Sequence, residues 1–175
     1  GKVFLHDQLV RFSHCDPAGI VYFVNFFDMV NAIVEDWFAD VVGFDFEELH
    51  IQRRVGFPIV NTGCEFFRPC HLGDRLELEL SIAKLGNSSI EFAVTGRVAG
   101  EEKFRARHKV ALMSLDSQRA MPIPDDMRAK MLPYVKGVHL AFDHHHSETV
   151  RMKDKPVNHI IDPKAPSAAR VVYDY

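Results

Sequence analysis

The stretch Asp16-Pro17-Ala18-Gly19-Ile20-Val21-Tyr22-Phe23-Val24-Asn25-Phe26 decides how the rest of this chain reads. Proline and glycine make its first half a tight turn, and a long amphipathic stretch begins where it ends. Upstream, Val3 to Phe12 is rich in β-formers and reads as a strand. A carboxylate therefore stands one turn before a helix. Unpaired backbone N–H groups and the positive dipole end at that helix start can stabilise a developing oxyanion.

Working outward, Phe27, Val30, Val34, Trp37, Phe38 and Val41 recur at helical steps and trace one face of an α-helix. Gly43 stands where a left-handed cap would, so the helix ends near Val42 after about 18 residues, or roughly 27 Å. Beyond Arg53-Arg54 the period changes to two. Val55 to Phe67 forms a second strand, with Gly56, Pro58 and Gly63 marking bulges or edges. Leu76 to Ile82 alternates without a fault, Ile90, Phe92 and Val94 alternate with polar or small residues, and Phe104 to Leu115 is the last long strand. The order predicts an α+β layer: a strand, a long helix over one sheet face, then four strands in a meander. Asp125 to Leu132 reads as a short helix with Asp125 as its cap. Residues 1–135 make one domain, and 136–175, rich in histidine and proline, an extended arm.

Composition narrows the function. A formal net charge of -3 gives no basic field for nucleic acid, and no apolar run is long enough to span a bilayer, so neither nucleic acid nor membrane is an expected partner. The 47% hydrophobic content excludes disorder of the whole chain. Three cysteines and the lack of a secretory-signal core read as a cytoplasmic location. Cys64, Cys70 and His71 lack the C-x-x-C pairing of a structural zinc site, and adjacent side chains of His144-His145-His146 diverge in an extended run, so no metal site is expected.

The string Asp16 to Tyr22, with Asn25 three residues on, resembles the active-site segment of the 4-hydroxybenzoyl-CoA thioesterase-like family. That family has the hotdog fold, an antiparallel sheet wrapped around one long central helix. The similarity runs over roughly residues 3 to 132, with the helix, the Arg68-Pro69 to Gly73-Asp74 turn and the Gly86 to Ser89 hairpin in the expected order. The resemblance implies hydrolysis of an acyl-CoA thioester to free acid and CoA, with CoA part of the substrate and no further cofactor. It makes Asp16 the essential carboxylate, as nucleophile or as general base. It puts the oxyanion donor on the backbone N–H of Phe23, with Tyr22, a contact worth about 3 kcal/mol. It also implies a homodimer or homotetramer with the pocket between subunits, where Thr62 and Gly63 of a partner's strand would form a wall.

Other candidates carry a plain reading beside the functional one. His14 lies two residues before Asp16, so the two can share a side as base and partner, or His14 simply packs. Asn25 orders the turn through backbone bonds or contacts substrate. Where some relatives have a basic cluster for the CoA phosphates, this chain has Lys84, Ser88 and Ser89. Arg105, Arg107 and Lys109 form either a stripe for an acidic cofactor tail or an ordinary solvated sheet face. Val24 stands where some relatives carry a histidine. It motivates the alternative of a non-hydrolytic hotdog module that binds acyl thioesters as sensor or carrier partner.

Overall fold

The computed structural model describes residues 1–137 of the 175. The expected arm, with His144-His145-His146, falls outside the described residues apart from its first two positions.

Strand β1 (Phe4–Leu9) leads through a 3-10 turn at Phe12–His14 to helix α1 (Val24–Trp37). Then come β2 (Val55–Gly56), β3 (Ile59–Phe66), β4 (Arg75–Leu85), β5 (Ser89–Val98), β6 (Glu101–Ala111), β7 (Met113–Ser114) and α2 (Asp125–Met131). Five antiparallel strands form one sheet in the order β1-β4-β5-β6-β3, and β2 pairs with β7. One long helix lies against one face, which is the hotdog arrangement.

Period two builds the sheet. In β4, Leu76, Leu78, Leu80 and Ile82 are buried while Glu77 is exposed, and β5 adds Ile90, Phe92 and Val94 to the same layer. Helix α1 buries Phe26, Met29, Val30, Ile33, Val34 and Trp37 against that layer, each worth about 2 kcal/mol. Val30, Val34, Trp37 and Phe38 of the predicted face are buried, while Phe27 and Val41 are only partly buried and Phe26 and Val42 take the inward positions at the two ends. The helix continues as a π turn over Phe38–Val42 and closes on Gly43 at φ 91°, where its end was expected. Ring contacts fix the depth of the seat. Trp37 stands edge-on to Phe92 at 5.1 Å, and Phe26 packs on Phe104 at 4.9 Å and Phe66 at 5.2 Å.

Three expectations are corrected. The strand predicted over Val55–Phe67 is two strands, broken at Pro58, which cannot donate to a ladder. The four-stranded meander is a three-stranded one: β3 pairs with β6, so the chain crosses from one edge of the sheet to place β4 beside β1. Asp125 is the first residue of α2 and not its cap; Pro124 occupies that position without a side-chain bond, and the charges of Asp125 and Asp126 suit the positive helix start.

Candidate active site

The crossing connection positions the Asp16 loop. Backbone bonds from Val21 N–H to Cys70 O (2.9 Å), Leu72 N–H to Gly19 O (3.0 Å) and Gly73 N–H to Val10 O (2.9 Å) clamp the loop against residues 70–74. That turn is itself held by Asp74, whose Oδ2 accepts the His71 N–H at 2.8 Å. Within the loop, Asp16 N–H donates to Ile20 O at 2.9 Å and Gly19 N–H donates to Asp16 O at 3.0 Å. Gly19 has φ 78°, a conformation that favours glycine.

Half-buried Asp16 uses Oδ1 to accept the Ala18 N–H at 2.8 Å, the local bond expected of an aspartate in a turn. Its Oδ2 takes no hydrogen bond among the described residues. One oxygen thus fixes the carboxylate, and the other is open among the described residues.

The helix start faces the same loop. The carbonyl of His14 accepts both the Tyr22 N–H at 2.9 Å and the Asn25 Nδ2 at 2.7 Å. The Tyr22 amide, expected to help hold an oxyanion, is therefore already engaged. Asn25 ties the helix to the loop through backbone. By contrast, the N–H groups of Phe23 and Val24 have no acceptor among the described residues, while Asn25 N–H and Phe26 N–H close the first turn. Val24 offers an open amide at the helix start, a donor that its apolar side chain hides from sequence reading.

The thiol between His14 and Asp16 is no competitor. Burial, then the charges of Asp16 and Asp74, push the Cys15 thiol up from its usual range, which keeps it protonated. His14 Nδ1 accepts the Arg11 N–H at 2.9 Å, so its ring is turned to the backbone and makes no hydrogen bond to Asp16 among the described residues. An open carboxylate oxygen on the loop and two open amides at the start of the helix it leads into are the groups needed for attack on, or water delivery to, a polarised carbonyl.

A family model described as the thioesterase-like superfamily matches residues 10–131. The chain belongs to this superfamily. It is 27% identical over 124 residues to a 1,4-dihydroxy-2-naphthoyl-CoA hydrolase of Nostoc punctiforme, covering 71% of this chain and 83% of that one. Among solved structures, a gentisyl-coenzyme A thioesterase superposes with TM-score 0.63 at 27% identity, covering 73% of this chain and 99% of that one. A 1,4-dihydroxy-2-naphthoyl-CoA thioesterase from Synechocystis gives TM-score 0.69 at 23% identity, with 74% and 96% covered, which shows the shared fold.

In this thioesterase-like chain the remaining candidates lie elsewhere. Thr62 and Gly63 sit on β3, the sheet edge opposite β1, so neither is brought beside Asp16 by strand adjacency. Lys84, Ser88 and Ser89 surround the β4–β5 hairpin, about 30 Å along β4 from the end that pairs with Leu9. The hairpin is held by Arg128, whose Nη2 donates to Gly86 O at 2.6 Å and Asn87 O at 3.0 Å. In the basic stripe, Arg105 pairs with Glu102, Arg107 lies 3.7 Å from Glu91, and Lys109 is buried.

Cys64 and Cys70 are buried thiols, the latter pushed up to about 12 by burial. Among the described residues no group of three or more potential ligands could hold a metal ion, and no helix is long and apolar enough to cross a membrane.

Sequence reading missed His108. It sits on β6 between Phe92 and Thr62, 2% exposed, with Nδ1 3.1 Å from Thr62 Oγ1 and Nε2 without a partner among the described residues. Burial pulls its pKa down to about 4, so the imidazole is neutral. An unpaired buried nitrogen costs about 1–3 kcal/mol. The signal was available: His108 occupies an apolar phase of the alternation Phe104, Ala106, His108, Val110.

Proposed function

We propose that the protein hydrolyses an acyl-CoA thioester to a carboxylic acid and free CoA, with ring-hydroxylated aromatic acyl groups as its substrate class. The observation that carries this is the open Oδ2 of Asp16 on a loop clamped beside the unoccupied Phe23 and Val24 amides. The family and the hydroxylated aromatic thioesters named for its relatives support it.

The thioester oxygen would accept the Phe23 N–H, with Val24 as second donor, and the carbonyl carbon would gain a nucleophile. Asp16 Oδ2 either attacks, forming a mixed anhydride as the C–S bond breaks and thiolate leaves, or takes a proton from a water that attacks in its place. In the first route water then opens the anhydride and returns the carboxylate. CoA enters as part of the substrate, and no other cofactor is needed.

Among the described residues β3 is an edge strand with β6 as its strand neighbour, and such an edge supports a homodimer or a tetramer built from it. In such an assembly Thr62 and Gly63 of one copy would wall the pocket of the other, with Lys84, Ser88 and Ser89 toward the CoA phosphates. The cytoplasm, which keeps free cysteines reduced, is the location we propose.

Thiol release from a panel of acyl-CoA thioesters tests the reading. Asp16→Asn retains an oxygen for the Ala18 N–H, so it should fold as wild type while losing a hundredfold or more in kcat, on the order of a lost acid–base group. Near wild-type turnover by this variant would sink the role of Asp16. Saturable acyl-CoA binding without thiol release from any thioester would make the protein a non-hydrolytic module instead.

A further inference from the structure

One polar pair interrupts the apolar layer between sheet and helix. Phe92, the β5 neighbour of His108, packs edge-on against Trp37 at 5.1 Å and Phe38 at 6.1 Å, so His108 lies on the helix-covered side of the sheet. Its β3 neighbour is Thr62, half-buried on the edge strand, with the hydroxyl 3.1 Å from Nδ1. Leucine or phenylalanine at 108 would fill this place without stranding Nε2, so packing does not account for a histidine. What the imidazole does supply is a single neutral partner for the Thr62 hydroxyl. In one tautomer Nδ1 accepts the Thr62 O–H and leaves the oxygen lone pairs for a further bond; in the other it donates and leaves the O–H to donate elsewhere. Either way the ring orients the hydroxyl on this edge strand.

We propose that His108 is a positioning residue for substrate specificity, setting the Thr62 hydroxyl to hydrogen-bond a hydroxyl group on the aromatic ring of the acyl moiety. This inference rests on the thioesterase reading and on the proposed assembly in which Thr62 of one copy walls the pocket of the other. It adds that ring-hydroxylated thioesters are chosen over unsubstituted ones at Thr62 and not at Asp16. Burial, which holds the His108 pKa near 4, keeps the pair neutral at physiological pH and so suited to a phenolic hydroxyl.

The test is the ratio of kcat/KM for gentisyl-CoA over benzoyl-CoA, measured for wild type, Thr62→Val, His108→Phe, His108→Gln and the Thr62→Val/His108→Phe double variant. The ratio should fall about tenfold in Thr62→Val and in His108→Phe, the scale of one hydrogen bond. His108→Gln, whose amide can still meet Thr62, should recover part of it. The double variant should be no worse than Thr62→Val, because the two residues act through one hydroxyl. Thermal melts check folding, and His108→Phe should melt no lower than wild type because it removes the stranded nitrogen.

An unchanged ratio in His108→Phe, or additive losses in the double variant, would overturn the role of His108 while leaving the hydrolase reading intact. Absence of thiol release by wild type from both substrates, with release from other thioesters of the panel, would overturn this assignment alone; absence of release from the whole panel would overturn the hydrolase reading, and this assignment with it.

Discussion

One added methyl group at Gly96 tests the packing beneath the helix start. A Cβ there would lie 2.2 Å from Cε1, 2.7 Å from Cδ1 and 2.9 Å from Cζ of Phe104. Carbon atoms pack at about 3.5–4.0 Å, so the ring has to retreat by more than an ångström. Phe104 is fully buried, and the rings of Phe26 and Phe66 lie 4.9 Å and 6.4 Å from it, so the retreat displaces Phe26 on the first turn of α1. Overpacking of this kind costs about 1–3 kcal/mol, and full burial places Gly96→Ala in the upper half of that range. For a chain of this size about 2–3 kcal/mol lowers Tm by roughly 5–10 °C.

Thermal unfolding followed by circular dichroism reads the shift, with Gly63→Ala as the control. A Cβ at Gly63 meets nothing within 4 Å, so that variant should melt with wild type or slightly above it. Combining Gly96→Ala with Phe104→Leu should relieve the clash, giving a coupling of about 1 kcal/mol or more. If Gly96→Ala melts with wild type, or its penalty is the same in the Phe104→Leu background, the packing argument is wrong.

His108 has a folded pKa of about 4 against about 6.5 unfolded, so the unfolded chain binds the extra proton first on acidification. Stability from this group is full above about pH 6.5, falls as pH drops to about 4 by about 3 kcal/mol, and is flat below; urea titrations should show a shallower acid slope in His108→Phe. Cys15→Ala should keep kcat within about twofold, since a thiol held protonated contributes no nucleophile; a large loss in the thiol-release assay would contradict that. Arg128→Ala, which removes the bonds to Gly86 O and Asn87 O, should cost about 1–3 kcal/mol in denaturant melts, and lysine should not restore it because it lacks the guanidinium fork.

What the sequence made legible was local. The alternation of Leu76 to Ile82 and of Ile90, Phe92 and Val94 is a direct record of one buried face, and Gly43 marks the helix end because the cap there needs φ 91°. Asp16 and Asn25 could be named as candidates because each makes a short-range bond within one segment, whereas Phe23 was named from the resemblance. Pairing of distant strands was not legible. Val55 to Phe67 and Leu76 to Ile82 are neighbours in sequence and both alternate, yet β3 joins β6, since which edge a strand takes depends on the whole sheet. For the same reason Thr62, Gly63, Lys84, Ser88 and Ser89 could be named from the resemblance but not placed beside Asp16. The occupied Tyr22 amide was invisible because its acceptor is a backbone carbonyl, which every residue carries.

The crossing that clamps the Asp16 loop also fixes the order in which the molecule can assemble. Hairpins β4–β5 and β5–β6 join residues close in the chain, whereas Leu9 meets Arg75 and Phe4 meets Leu80 across about seventy residues. Closing that long loop carries an entropic cost that the hairpins avoid, so the meander is the natural nucleus and β1 docks onto it late. The bonds from residues 70–74 to Val10, Gly19 and Val21 then form together, and a ribosome-bound chain cannot shape its Asp16 loop until the strand that follows residue 74 has emerged.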